Sequence, residues 1–190
     1  MFDNVQLEKV TAFTVAALKK EWTPYVMEST DLPEVQYRRI IEWGNSFVNG
    51  NFEEGTFFYA LTCDGNNGAP SVLALMDLTL KHPLHAPKFA IKVMSIHTAP
   101  HFDLRQANTE VDNSITRKHK LSMIISEIII GAINELFERD ASEVKIYCSS
   151  QLSLSFFETV AGDMKSDLLS RVRLSVDLQG NWLVISKRFV

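Results

Sequence analysis

The stretch Thr116–Asp140, TRKHKLSMIISEIIIGAINELFERD, decides how the rest of the chain is read. A basic cluster (Arg117, Lys118, His119, Lys120) stands directly before a long apolar run. Leu121, Ile124, Ile125, Ile128, Ala132 and Leu136 recur at helical spacing, and Ile129, Ile130, Ile133 and Phe137 widen that face. Glu127, Asn134 and Glu138 leave a thin polar stripe, so the spacing predicts a mostly buried helix over 120–139 lying against a sheet. A helix N-terminus exposes unpaired N–H groups and about half a positive charge. Cations there oppose the dipole by roughly 0.3–1 kcal/mol each. Such a local conflict points to an anionic ligand, a phosphate being the natural choice, although the glycines that usually line phosphate cradles are absent.

Upstream, Val5–Val10 alternates as a short strand, and Thr11 caps a helix over Ala12–Glu21. Pro33 opens a second helix that runs to about Val48, with Val35, Ile40, Trp43 and Phe47 near one side. Thr56–Cys63 and Ser71–Lys81 flank a Gly/Asn turn and read as a hairpin. Lys81–Lys88 is a loop, Phe89–Thr98 is a third strand stopped before Pro100, and His101–Thr116 reads as a polar loop. Downstream of the long helix come a strand over Glu143–Ser149, a short helix over Leu152–Ala161, and a closing hairpin, Val172–Leu178 with Trp182–Lys187. The order β-α-α-β-β-β-α-β-α-β-β predicts an α/β (α+β) fold with a mixed sheet.

The 190 residues fit a single domain, 1–190, and 46% hydrophobic with 22% charged residues is globular rather than disordered. A net charge of −4 argues against a surface built for nucleic acid or membrane. Cys63 and Cys148 are too few for a disulfide framework, and the spacing of His82, His85, His97, His101 and His119 fits no zinc pattern, so no metal is expected. Met1–Val10 shows no secretory signal, and the apolar run Met123–Ile133 is too short to span a bilayer. A cytoplasmic protein is the expectation.

The strand end Ile96-His97-Thr98-Ala99-Pro100 and the segment Arg117-Lys118-His119-Lys120-Leu121-Ser122 together resemble the GNAT N-acyltransferase superfamily. In that family a Val-x-Pro strand end precedes a Gln/Arg-x-x-Gly-x-Gly/Ala loop that grips the pyrophosphate of an acyl-CoA. Arg117 matches the first motif position, Lys120 replaces the first glycine, and Ser122 replaces the Gly/Ala. Ser153–Gly162 corresponds to the family's later helix, with Phe157 where its tyrosine general acid stands. About a dozen extra residues separate Pro100 from Arg117.

The resemblance implies acyl-CoA, acetyl-CoA or a longer homologue, contacted by Ile96, His97, Thr98, Arg117, Lys118, His119, Lys120, Leu121, Ser122 and Phe157. It also implies a backbone oxyanion donor around Ser95–His97 and a small-molecule or protein amine as acceptor. No carboxylate stands on Phe89–Thr98, so His97 is the candidate general base. Cys148 is a candidate nucleophile if its pKa is lowered, and otherwise a core residue. The alternative is a catalytically inactive GNAT-like fold that serves as an interaction module, with Tyr37, Ile41 and Trp43 as its surface, or that binds another phosphorylated ligand. The sequence leaves the oligomeric state open.

Overall fold

A computed structural model describes residues 4–27, 33–51, 54–65, 70–81, 89–102, 111–148, 154–159, 162 and 174–188. The strands are β1 (Gln6–Lys9), β2 (Thr56–Asp64), β3 (Pro70–Lys81), β4 (Ala90–Thr98), β5 (Glu143–Tyr147), β6 (Leu174–Gln179) and β7 (Trp182–Lys187). The helices are α1 (Ala12–Met27), α2 (Pro33–Val48) and α3 (Val111–Glu138), and residues 154–159 are also helical. The strands form a seven-stranded mixed sheet in the order β1-β2-β3-β4-β5-β7-β6. β4 and β5 are parallel, and α3 lies in the crossover that a parallel pair requires.

The chain sorts into two compact units, Met1–Asp77 with Ile96–Ile128, and Leu78–Ser95 with Ile129–Val190. In the first unit, β1 runs antiparallel to β2, from Gln6↔Thr62 to Lys9↔Tyr59. The Thr11 hydroxyl accepts from the Thr14 amide (3.2 Å) and the Thr14 hydroxyl accepts from the Thr11 amide (3.3 Å), a reciprocal cap that starts α1. α1 continues past the expected end at Glu21, through Pro24, to Met27. The reason is tertiary. Trp22 is fully buried, its ring edge meets Tyr37 at 5.7 Å, and its Nε1 donates to the Val72 carbonyl at 3.1 Å. The adjacent Glu21 carboxylate accepts from Ser71 Oγ and from the Val72 amide, both at 3.0 Å, which ties the same helical turn to β3. α2 approaches α1 at Gly44, where a Cβ would stand 3.2 Å from Val15 Cγ2. Val72–Met76 is buried without alternation, as expected of a strand covered on both faces.

In the second unit the registers align apolar rows across three strands. Ile91, Val144 and Ile185 form one row with Val176, and Val93, Ile146 and Leu183 form the next. All seven are buried, and so are Ile129, Ala132, Ile133 and Leu136 of α3. On the other face, the hydroxyls of Ser175 and Ser186 lie 2.8 Å apart. α3 ends at Asp140, whose φ of 49° is the left-handed conformation that usually favours glycine and that Asp tolerates. Phe137, expected to widen the buried face, is exposed, with the Lys187 ammonium 5.0 Å over its ring. Glu135 is buried one turn from Arg139 and paired to it. The β6–β7 turn falls at Gly180 (φ 60°) and Asn181, as the sequence predicts.

The principal correction concerns where α3 starts. The helix begins at Val111, not at Lys120, so part of the expected loop His101–Thr116 is helical. Nucleation is the costly step in helix formation, and adding turns to an apolar, already nucleated helix is cheap even for a polar segment. Periodicity cannot see such an extension. Among the described residues, no helix is long and apolar enough to cross a membrane.

Candidate functional site

His97 stands near the end of β4. The ladder to β3 continues one step beyond it, the Ala99 amide donating to the Leu73 carbonyl at 2.8 Å, and Pro100–Phe102 then forms a 3-10 turn. The His97 ring meets Trp43 of α2 edge-on, with centroids 6.1 Å apart. Trp43 meets Phe58 of β2 in the same manner at 6.4 Å, and Phe58 lies 5.8 Å from Phe47. The imidazole therefore closes an aromatic row that has no hydrogen-bond donor to offer it. His97 Nε2 is buried and has no hydrogen-bond partner among the described residues. Leaving such an atom unpaired costs on the order of 1–3 kcal/mol, so the position is poised for a donor from outside the protein.

Burial pushes the His97 pKa below its usual 6.5, and the negative charge of Asp77 pushes back more weakly. At neutral pH the ring is uncharged and one nitrogen is free to accept a proton. Asp77 is the functional residue the sequence reading missed, because the search for a carboxylate stopped at β4. The signal was present: Asp77 is the one charged residue within the otherwise apolar Val72–Leu78 of the neighbouring strand.

The basic segment sits differently from expectation. Arg117–Ser122 lies inside α3, where each amide donates to the carbonyl four residues before it. The unpaired amides of this helix belong to Val111–Ser114. What the segment presents is side chains: Lys118 and His119 are exposed, and Lys120, Leu121 and Ser122 are half-buried. Ile96 and Thr98 are also half-buried. The β4–β5 register runs from Ala90↔Glu143 to Val93↔Ile146, and β4 continues to Thr98.

In the second unit, Phe157 is buried and edge-on to Phe156 at 6.3 Å. It has no hydroxyl to act as an acid. Cys148 is buried as well; burial raises its thiol pKa, which leaves it protonated and a poor nucleophile at neutral pH. Its amide donates to the Asn181 carbonyl at 2.8 Å, so the residue serves the packing of β7. Among the described residues, no three His, Cys, Asp or Glu side chains are placed to hold a metal ion. His82, His85, Asp103, Glu110 and Ser153, and the side chains of His101 and Arg117, lie outside the described residues.

No protein-family model matches the chain, and no curated protein matches it in sequence. Solved structures do. The crystal structure of the KacTA–DNA complex is similar over 95% of this chain and 92% of that chain, with a TM-score of 0.51 at 9% identity. The chain has the GNAT fold. AtaTR bound with acetyl-CoA is similar over 95% of this chain and 91% of that chain, with a TM-score of 0.48 at 9% identity. The NatC complex bound to Gag peptide and CoA follows, over 98% and 99%, with a TM-score of 0.41 at 8% identity. At such identities the likeness is one of backbone. The GNAT fold accounts for the element order and the parallel β4–β5 pair, while the side chains of the site have to be read from this chain.

Proposed function

We propose that the chain is a cytoplasmic GNAT-like N-acyltransferase that uses acetyl-CoA or a longer acyl-CoA and takes the amine proton on His97. The observation that carries this reading is the buried, uncharged and unpartnered imidazole Nε2 at the end of β4. Bound acyl-CoA would supply an activated acyl carbon and a thiolate leaving group. A backbone N–H of the Ser95–His97 stretch would face the charge that develops on the acyl oxygen. Phe157 cannot protonate the thiolate, but a thiol pKa of about 8.5 lets it leave without an acid. Cys148 takes no part.

The cations of α3 fit a phosphate, and the amides beside them do not. The pyrophosphate would therefore be held by the side chains of Arg117, Lys118, His119 and Lys120, with Ser122 as a further donor. Ile96, Thr98, Leu121 and Phe157 would bear on the rest of the molecule. Isothermal titration with acetyl-CoA and longer acyl-CoAs tests this. Binding is expected to weaken with salt, and the double variant Lys118→Glu/Lys120→Glu should lose roughly tenfold or more in affinity. The absence of both heat and thermal shift at millimolar ligand would reject the reading.

One observation favours a second reading, a GNAT-like fold that binds a partner without transferring an acyl group. The amides expected to cradle the pyrophosphate are committed to helix hydrogen bonds. Recovery of one stoichiometric protein partner, unaffected by acyl-CoA, would select it. If the cations instead serve another phosphorylated ligand, Lys120→Glu abolishes its binding and leaves the fold intact.

A further inference from the structure

Resting on the acyltransferase reading, we propose that the first unit carries the acceptor site and that the acceptor is an arylalkylamine, its nitrogen on His97 and its ring on Trp43. Trp43 is 41% exposed although its edge is engaged by both His97 and Phe58. A large flat apolar surface is thus open beside a buried nitrogen that lacks a partner. These two features ask for one ligand with a hydrogen-bond donor and an aromatic body a short distance apart. An ammonium supplies the donor and adds attraction to an aromatic face and to the Asp77 carboxylate, whose charge reaches His97. A neutral aryl alcohol offers the ring and a single donor but no charge. An alkylamine offers the charge but no ring. All of the residues invoked belong to one compact unit, so the site needs nothing from the other.

The chemistry balances. An ammonium and an acyl thioester give an amide, a thiol and one proton: the carbon–nitrogen bond forms, the carbon–sulfur bond breaks, and His97 Nε2 holds the proton that leaves nitrogen before transfer.

Binding can be tested without acyl-CoA, by following the His97 imidazole and Trp43 indole NMR resonances of the full chain during titration with 2-phenylethylamine, butylamine and 2-phenylethanol. Both resonances should shift with 2-phenylethylamine, and the other two ligands should bind roughly tenfold more weakly or worse. Trp43→Ala should weaken 2-phenylethylamine by a similar factor, and Trp43→Phe should retain most of the affinity. If neither resonance moves at millimolar 2-phenylethylamine, or butylamine binds equally well, the acceptor class is wrong. Acyl-CoA binding measured by calorimetry would be untouched by that failure, so the two readings fall separately.

Discussion

Replacing His97 with alanine is expected to lower kcat/KM for acyl transfer by roughly 10²–10⁴-fold, the usual worth of a positioned general base. The pH profile separates this role from a structural one. Only the uncharged imidazole can accept a proton, and burial places its pKa below 6.5. Wild-type activity should therefore be level around neutrality and fall as pH drops through a midpoint below 6.5. Asp77→Asn removes the charge that raises the His97 pKa, so this acid limb should move to still lower pH. His97→Gln keeps much of the side-chain volume and should lose the limb altogether. Stability follows the same proton. Just below 6.5 the unfolded imidazole binds a proton that the folded one resists, so stability is lost as pH falls through that window. Thermal melts of wild type and His97→Gln between pH 5 and 7.5 measure the difference. A His97→Gln protein with wild-type kcat/KM and an unchanged acid limb would overturn the assignment.

Trp22→Ala should be the most damaging single change to stability, costing about 3–5 kcal/mol, the typical range for truncating a buried aromatic side chain. Three losses coincide at one residue. A fully buried indole leaves a cavity, the edge contact with Tyr37 disappears, and the Val72 carbonyl loses the Nε1–H that satisfies it at 3.1 Å. Trp22→Phe separates these terms. It keeps most of the packing and deletes the hydrogen bond, so about 1–3 kcal/mol is expected for the unpaired carbonyl. Urea midpoints for the two variants give the comparison. A Trp22→Ala midpoint close to wild type would mean that α1 is not anchored through this residue.

The strands and the apolar body of α3 were legible because burial on one face imposes a period. Trp182–Lys187 came out with the predicted boundaries, and the other strands differ by a residue or two at their ends. The two large misses share a cause. α1 runs on through Pro24 because Glu21 and Trp22 are tied to β3, about fifty residues away in sequence. α3 begins at Val111 because a nucleated helix extends at little cost through residues with no pattern. Neither effect leaves a trace in local spacing.

The candidate site divides the same way. His97 could be picked from its place before Thr98-Ala99-Pro100, and Lys118 and Lys120 from their run of charge. Their electrostatic state could not. His97 is uncharged because Trp43 and the elements around it remove water from the ring, and Asp77 opposes that shift from the adjacent strand. By itself the sequence determined the order of elements, the apolar faces that make the sheet and its long helix, and the chemistry each side chain can offer. Tertiary structure alone decided that the amides beside Lys118 are spent inside a helix, and that one nitrogen of His97 is buried without a partner. The reason is that hydrogen-bond commitment and desolvation depend on neighbours distant in sequence, which no local pattern encodes.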